Sequence, residues 1–246
     1  MITALISNGM ECVELSSFDS EVFGHPFYRV HRFDPDGIRA GIAALPTAPK
    51  LAVDAKVPAS DIRTAQLLMS LGFRTVAMMF HLTHTLETPA PVPLAAEIVP
   101  RLELPADVIR LHGQNFCFDR FNLDPLLDHE GAVRLFSRWV GNSLTQGRQQ
   151  VIHIGSDICT FAMRDDGSVA IDIVSVLRHR MGIGKSLIGG LINESRRLGA
   201  QALHVTTECQ NVPAWTLYRN AGFQPAGFTA AMHLVRIQNL SESTHS

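Results

Sequence analysis

Apolar positions along the chain follow two rhythms. In KSLIGGLINESRRLGAQ, which begins at Lys185, the residues Leu187, Ile188, Leu191 and Ile192 recur every three or four places. They fall on one face and predict an amphipathic helix. Arg196 and Arg197 suit the negative end of that helix, and Gly199 can stop it. Gly189 and Gly190 inside it cost about 1 kcal/mol each against alanine, so close packing or ligand approach must offset them. Residues 60–71, 105–114 and 128–145 also read as helices, the second entered at Pro105. The second rhythm, of strands, marks FYRVHRF (27–33), VIHIGSDICTFAM (151–163), VAIDIVSVL (169–177) and QALHVTTE (201–208). Asp165-Asp166-Gly167 is a turn signal that makes 151–163 and 169–177 an antiparallel hairpin. In 169–177, Ile171 and Ile173 share one face while Val174 and Val176 share the other. A strand buried on both faces produces this pattern, and so does a β-bulge near Val174. A bulge would leave an amide N–H unpaired, able to hold a developing oxyanion.

Four prolines in TPAPVPLAAEIVP (88–100) forbid a helix interior and favour an extended connector. This divides the chain into a small α/β domain at 1–88, a linker at 89–96, a second domain at 97–238 and a polar tail at 239–246. The halves share a faint likeness. TAQLLMSLGFRTVAMMFHL (64–82) and AWTLYRNAGFQPAGFTAAMHL (214–234) both read as helix, Gly-Phe, strand, with Gly72 and Gly222 at the left-handed position after the helix. Either a degenerate duplication or a common αβ turn explains this. The first copy has Leu68 where the second has Tyr218, and it lacks a G-x-G loop upstream, so chemistry is expected in the second half.

Composition narrows the function. The chain has 246 residues, 46% hydrophobic and 18% charged, and a formal charge of −2 without a long basic run. The electrostatic footprint of a nucleic-acid or anionic-membrane binder is missing, which leaves small ligands. Cys12, Cys117, Cys159 and Cys209 stand alone, so disulfides and structural zinc are not expected and a cytoplasmic setting is. The opening MITALISNGMEC lacks a basic n-region, and no apolar run reaches the length of a bilayer span. The eleven histidines are scattered; His81 and His84 at a strand end are close neighbours, but no metal is expected.

RHRMGIGKS (178–186) ends like an ATP-phosphate loop, yet the glycine needed five residues before Gly184 is His179. What remains is Gly182-Ile183-Gly184 between a strand and a helix, where free N–H groups suit a pyrophosphate. NFCFDRFNLDP (115–125) carries three phenylalanines and an Arg/Asp pair that either wall a substrate pocket or plug the core. Tyr218, by itself, reads as a core residue with one satisfied hydroxyl.

The ordered set of a strand ending at Val176, the turn RHRMGIGKS, a helix, strand 201–208, Asn211 and then LYRNAGF (217–223) resembles the Gcn5-related N-acetyltransferase (GNAT) family over about residues 97–236. The likeness implies a mixed α/β fold with a mostly antiparallel sheet and flanking helices. It implies acetyl-CoA as co-substrate, without metal. Val174, Ser175, Val176, His179, Arg180, Met181, Gly182, Ile183, Gly184, Lys185, Ser186 and Asn211 would hold it, with strands 169–177 and 201–208 splaying apart around the thioester. His179 departs from the family, which has Arg or Gln there. The resemblance makes the Val174 amide an oxyanion donor and Tyr218 the general acid; Glu208 and Asp172 are both open as base. The whole pattern, including LSSFDSEVFGHPFYRV and the DRF segment, is similar to the TDP-fucosamine acetyltransferase type, which implies a TDP-linked dideoxy aminosugar as acceptor. Another amine acceptor, a silent acyl-CoA-binding module, and a homodimer stay open.

Overall fold

The structure is a computed structural model that describes residues 12–147 and 149–238, so the expected polar tail and the opening segment lie outside the described residues. Two compact units divide them. One contains the residues up to Met78, Asp124–Asp128 and those from Thr229; the other contains Met79–Leu123 and His129–Phe228.

In the first unit, β1 (Val13–Leu15), β2 (Phe27–Val30) and β3 (Lys50–Pro58) are joined by α1 (Ser17–Phe23) and α2 (Pro35–Ala43), and α3 (Ile62–Ser70) leads into β4 (Arg74–His84). The strand order is β1-β2-β3-β10-β4, with β10 (Gln224–Ile237) returning from the end of the chain. Each helix starts where a side chain can serve an orphan amide. Ser16 caps α1, Asp34 accepts from Gly37 N at 2.7 Å, and Asp61 accepts from Thr64 N at 3.1 Å. Val53, Leu51, Ile38, Leu68 and Met232 form the core. A polar cluster accompanies it: buried Asp124 accepts from Nη2 of the exposed Arg74 at 2.9 Å and pairs with buried His233 Nδ1 at 2.9 Å.

The second unit contains the remainder of β4, then β5 (Glu97–Val99), α4 (Ala106–Asn115), α5 (Arg120–Leu123), α6 (His129–Thr145), β6 (Gln150–Ile154), β7 (Asp157–Met163), β8 (Val169–Ser175), α7 (Ile183–Arg197), β9 (Leu203–Glu208) and α8 (Val212–Asn220). Its strand order is β4-β9-β8-β7-β6-β5. The β8/β9 pair is parallel and the other pairs in this unit are antiparallel. The chain is therefore a mixed α/β protein with an antiparallel-dominated sheet and flanking helices.

Strand alternation sorts the side chains of this sheet into two cores. Ile152, Cys159, Phe161 and Ile171 join Leu187, Ile188, Leu191 and Ile192 of α7, as the periodicity of that helix predicts. Val151, Ile158 and Ile173 join Val140 and Leu144 of α6.

Two sequence expectations change here. The segment 151–163 is not one strand: β6 and β7 turn back on each other at Gly155, whose φ of 61° permits the tight reversal. Nor do Ile171 and Ile173 share a face. The register runs Thr160↔Ile173 and then Phe161↔Ile171, so Asp172 is the extra residue of a bulge. That one residue reverses the alternation, turning Ile173 to α6 and returning Val174 and Val176 to the α7 side with Ile171.

The helix–Gly–Phe–strand unit occurs twice. Gly72 and Gly222 have φ of 92° and 97°, and the amides of Phe73 and Phe223 donate to Leu68 O and Tyr218 O. Leu68 and Tyr218 thus occupy equivalent places. The proline-rich segment lies along α7: Ala90 exchanges two 2.9 Å hydrogen bonds with the Asn193 side chain, and Leu94 N donates to Ser186 Oγ at 3.0 Å. A Cβ on Gly189 would collide with Pro91 O, which is why glycine is needed there. Among the described residues no helix is long and apolar enough to cross a membrane, and no group of three His, Cys, Asp or Glu side chains could hold a metal.

Candidate active site

Strands β8 and β9 pair only at Val169↔Leu203 and Ala170↔His204. Beyond that point they part, and the edge of β8 that faces β9 is left without a ladder. A cavity of about 510 Å³ opens between them. That is within the roughly 300–1,000 Å³ of small-molecule sites.

The loop after β8 is held from below. Asp157, fully buried, accepts from Leu177 N at 2.6 Å, Arg178 N at 3.2 Å and Arg178 Nε at 2.7 Å, while Arg178 Nη2 donates to Ile154 O at 2.7 Å. The guanidinium of Arg178 is thereby committed to the scaffold. His179 and Arg180 follow on the cavity wall, Arg180 with φ of 63°. Gly182, at φ 75°, is the N-cap of α7 and offers no side-chain cap, so the first amides of that helix have no partner from the cap. At Gly184 a Cβ would stand 3.2 Å from Leu217 Cδ2, so glycine allows α7 and α8 to approach closely.

Asn211 caps α8, accepting from Ala214 N at 3.2 Å, and lines the cavity. Tyr218, 4% exposed, lies in the middle of the same helix against Phe223 and on the cavity wall. Burial first, then Cys159 and Glu208, pushes the pKa of its phenol up. It therefore keeps its proton at neutral pH.

Of the residues expected to bind a ligand, Val174, Val176, His179, Arg180, Gly184, Asn211 and Tyr218 line this cavity. Met181 is 62% exposed, and Ile183 and Ser186 are buried, Ser186 with its hydroxyl bonded to Leu94 N and Gly182 O. Lys185 lines a second cavity of about 440 Å³ with His84 and Pro89. Ser175 faces away, toward α4. Both carboxylates considered as base, Asp172 and Glu208, are on the wall of the main cavity.

The aromatic segment does both things open to it. Phe116 and Phe118 line the cavity, while Phe116 also stacks on Phe136 at 4.5 Å and Phe121 is buried beside Phe136. Asp119, also on the wall, is raised in pKa because burial outweighs its hydrogen bonds from Asn122 and Phe121.

Sequence reasoning missed the buttress behind β8. His112 is fully buried, and burial lowers its pKa against the pull of Ser156 O and Asp157, so the ring is neutral. Ser156 O only accepts, so Nε2–H donates to it at 2.9 Å. Nδ1 then accepts from the Ser175 hydroxyl at 2.8 Å. Asn115 Nδ2 completes the set, donating to Ser175 Oγ and Val176 O at 3.1 Å each. The available signal was two polar residues three apart near the end of a predicted helix.

The sequence profile of the "Acetyltransferase (GNAT) family" matches residues 159–223. No curated protein matches the chain by sequence. Among solved structures, a GCN5-related N-acetyltransferase from Sphaerobacter thermophilus is similar at a TM-score of 0.58 and 17% identity, covering 95% of this chain and 79% of that one. A GCN5-related N-acetyltransferase from Kribbella flavida gives 0.55 and 15%, covering 94% and 93%. A tandem GNAT protein from the clavulanic acid biosynthesis pathway gives 0.54 and 13%, covering 94% and 87%. At these identities the matches establish architecture: the chain has a GNAT-like acetyltransferase fold, with the family's sequence signature in its C-terminal part.

Proposed function

We propose that this protein is an acetyl-CoA-dependent N-acetyltransferase acting on the primary amine of a small molecule, best matched by the amino group of a TDP-linked dideoxy aminosugar. The observation that carries the reading is the unpaired edge of β8, which runs within one cavity beside His179, Gly184 and Tyr218. The residues fit the co-substrate. An extended pantetheine arm can complete the missing ladder along Val174, Ser175 and Val176, and the uncapped amides after Gly182 suit a diphosphate. Arg180 adds charge at the loop, where Arg178 is unavailable.

The thioester supplies the activated acetyl group. The Val174 amide stabilises the developing oxyanion, and Tyr218, held neutral by its burial, protonates the departing sulfur. Asn211 contacts the coenzyme arm at the start of α8. Phe116 and Phe118 support an acceptor with a flat or apolar face, and with the whole-chain likeness they favour the nucleotide-linked sugar. On this reading 97–238 is the transferase domain and 1–88 is structural.

Calorimetry with acetyl-CoA and a thiol-release assay against TDP-linked aminosugars, amino acids and peptides test the proposal. Expected are acetyl-CoA binding and turnover with a TDP-linked amine. Absence of binding removes the reaction; turnover confined to other amines removes the sugar.

A further inference from the structure

A chain of hydrogen bonds behind β8 fixes which way Asn115 points. Nε2–H of the fully buried His112 donates to Ser156 O, so Nδ1 accepts from the Ser175 hydroxyl at 2.8 Å. With its proton spent on His112, Ser175 Oγ accepts at 3.1 Å from Asn115 Nδ2. Val176 O, which can only accept, takes the other N–H of the same amide at 3.1 Å. The direction of the amide follows from these partners: both N–H groups are turned to β8, and Oδ1 is the atom left over. Among the described residues nothing donates to Oδ1. Asn115 is half-buried on the wall of the main cavity, so this oxygen is an open acceptor there, held against rotation by two bonds.

The position of Asn115 decides which substrate it meets. The loop suited to a diphosphate opens α7 on one face of the sheet, whereas Asn115 ends α4 and reaches β8 through Ser175, whose side chain is on the other face. Phe116, Phe118 and Asp119 continue the same wall, on the side left to the acceptor. The partners of Asn115 are one and two residues past Val174, and two residues of strand span about 6–7 Å. That is too far for the nitrogen attacking a thioester beside Val174, but it suits a group on the neighbouring carbon. Carboxylates on the wall attract cations, among them Asp172, which accepts from Ser143 Oγ at 2.6 Å and Trp139 Nε1 at 3.1 Å. A neutral amide oxygen suits a neutral donor, and on a small amine that donor is a hydroxyl.

We propose that Asn115 selects the acceptor, its Oδ1 taking a hydrogen bond from a hydroxyl on the carbon next to the one that bears the amine. The assignment rests on the acetyltransferase reading and deepens it. The substrate class is a vicinal amino alcohol, of which a 4-amino-4,6-dideoxyhexose with a free 3-hydroxyl is one member. An acceptor without that hydroxyl leaves Oδ1 desolvated and unpaired, and this penalty is the source of the discrimination.

The test measures kcat/KM of the full chain with acetyl-CoA for two matched pairs of amines. One pair is a TDP-linked 4-amino-4,6-dideoxyhexose and its 3-deoxy counterpart; the other is 2-aminoethanol and ethylamine. The unaltered protein is expected to favour the hydroxylated member of at least one pair by about tenfold or more. Asn115→Ala is expected to bring that ratio to about one while binding acetyl-CoA, by calorimetry, as the unaltered protein does. Asn115→Leu, nearer in volume, is the second variant should the smaller side chain unsettle α4. Damage to β8 alone lowers both members of a pair together, so a ratio unchanged in these variants overturns the assignment. A ratio of one for both pairs in the unaltered protein also overturns it, as does weakened acetyl-CoA binding with the ratio kept, which gives Asn115 to the coenzyme instead. Those results leave the transferase reading standing. Acetyl-CoA binding without turnover of any of the amines removes both.

Discussion

Gly113 lies within α4 where that helix packs on α6, and replacing it with alanine tests the packing of the cavity's supporting helices. A Cβ there would stand 2.7 Å from Val133 O and 2.9 Å from Ser137 N, besides meeting Ser137 Oγ. The hydroxyl can rotate, at the loss of its 2.7 Å bond to Val133 O, worth about 1 kcal/mol. The two backbone atoms cannot, so the helices must separate, and overpacking of this kind costs about 1–3 kcal/mol. Alanine in a helix gains about 1 kcal/mol over glycine, which offsets only part. Net destabilisation is about 2–3 kcal/mol if the overpacking is near its upper limit, and Tm falls by about 4–12 °C at about 2–4 °C per kcal/mol for a chain of this size. Gly141→Ala on α6 is the control. The nearest atom to its Cβ is Ile109 Cδ1 at 4.0 Å, an ordinary contact with a flexible side chain. That variant gains up to about 1 kcal/mol and a few degrees. Scanning calorimetry of both variants measures the difference. Equal Tm values, or a stabilised Gly113→Ala, would refute the claim that backbone contact between α4 and α6 requires glycine.

Tyr218→Phe removes a proton donor while keeping the packing on Phe223, so kcat should fall about 100-fold with acetyl-CoA affinity retained, read by stopped assay and calorimetry. Asp157→Asn takes the charge from the fully buried carboxylate that holds Leu177 and Arg178; acetyl-CoA binding should weaken about tenfold, with thermal stability also lowered. Asp124 has its pKa lowered from 3.8 to about 2, because hydrogen bonds from His233, Leu126 N and Arg74 outweigh burial, which acts to raise it. A depressed carboxylate stabilises the fold above its unfolded pKa and loses that contribution as pH falls through the folded value. Roughly 2 kcal/mol should therefore be present above pH 4 and vanish toward pH 2. Urea unfolding across that range should show a flatter acid limb for Asp124→Asn.

Much of the candidate site was legible because its signals are local. The periodicity of Leu187, Ile188, Leu191 and Ile192 and the left-handed glycines at 72 and 222 depend on spacings of a few residues, and each element formed where those spacings put it. The bulge was legible only as a change of parity. Which residue is extra depends on β7, a different strand, and the answer is Asp172, two residues before Val174. Likewise 151–163 carries strand-forming residues throughout, so periodicity passed over the reversal at Gly155.

The remainder needed the tertiary structure. Trp139 and Ser143 present their donors to a carboxylate about thirty positions away, and His112 and Asn115 reach a hydroxyl about sixty positions away. Asp124 and His233 meet across 109 positions. Side chains on one helix or strand have neighbours set by backbone geometry, so a sequence specifies them directly. Partners brought together by chain folding are chosen by packing and by the need of every buried polar group for a mate, and neither leaves a mark at fixed spacing. By itself, the sequence determined several of the helices, the glycine loop and the placing of Tyr218 on a helix; the tertiary structure decided that Asp172 stands anchored beside them.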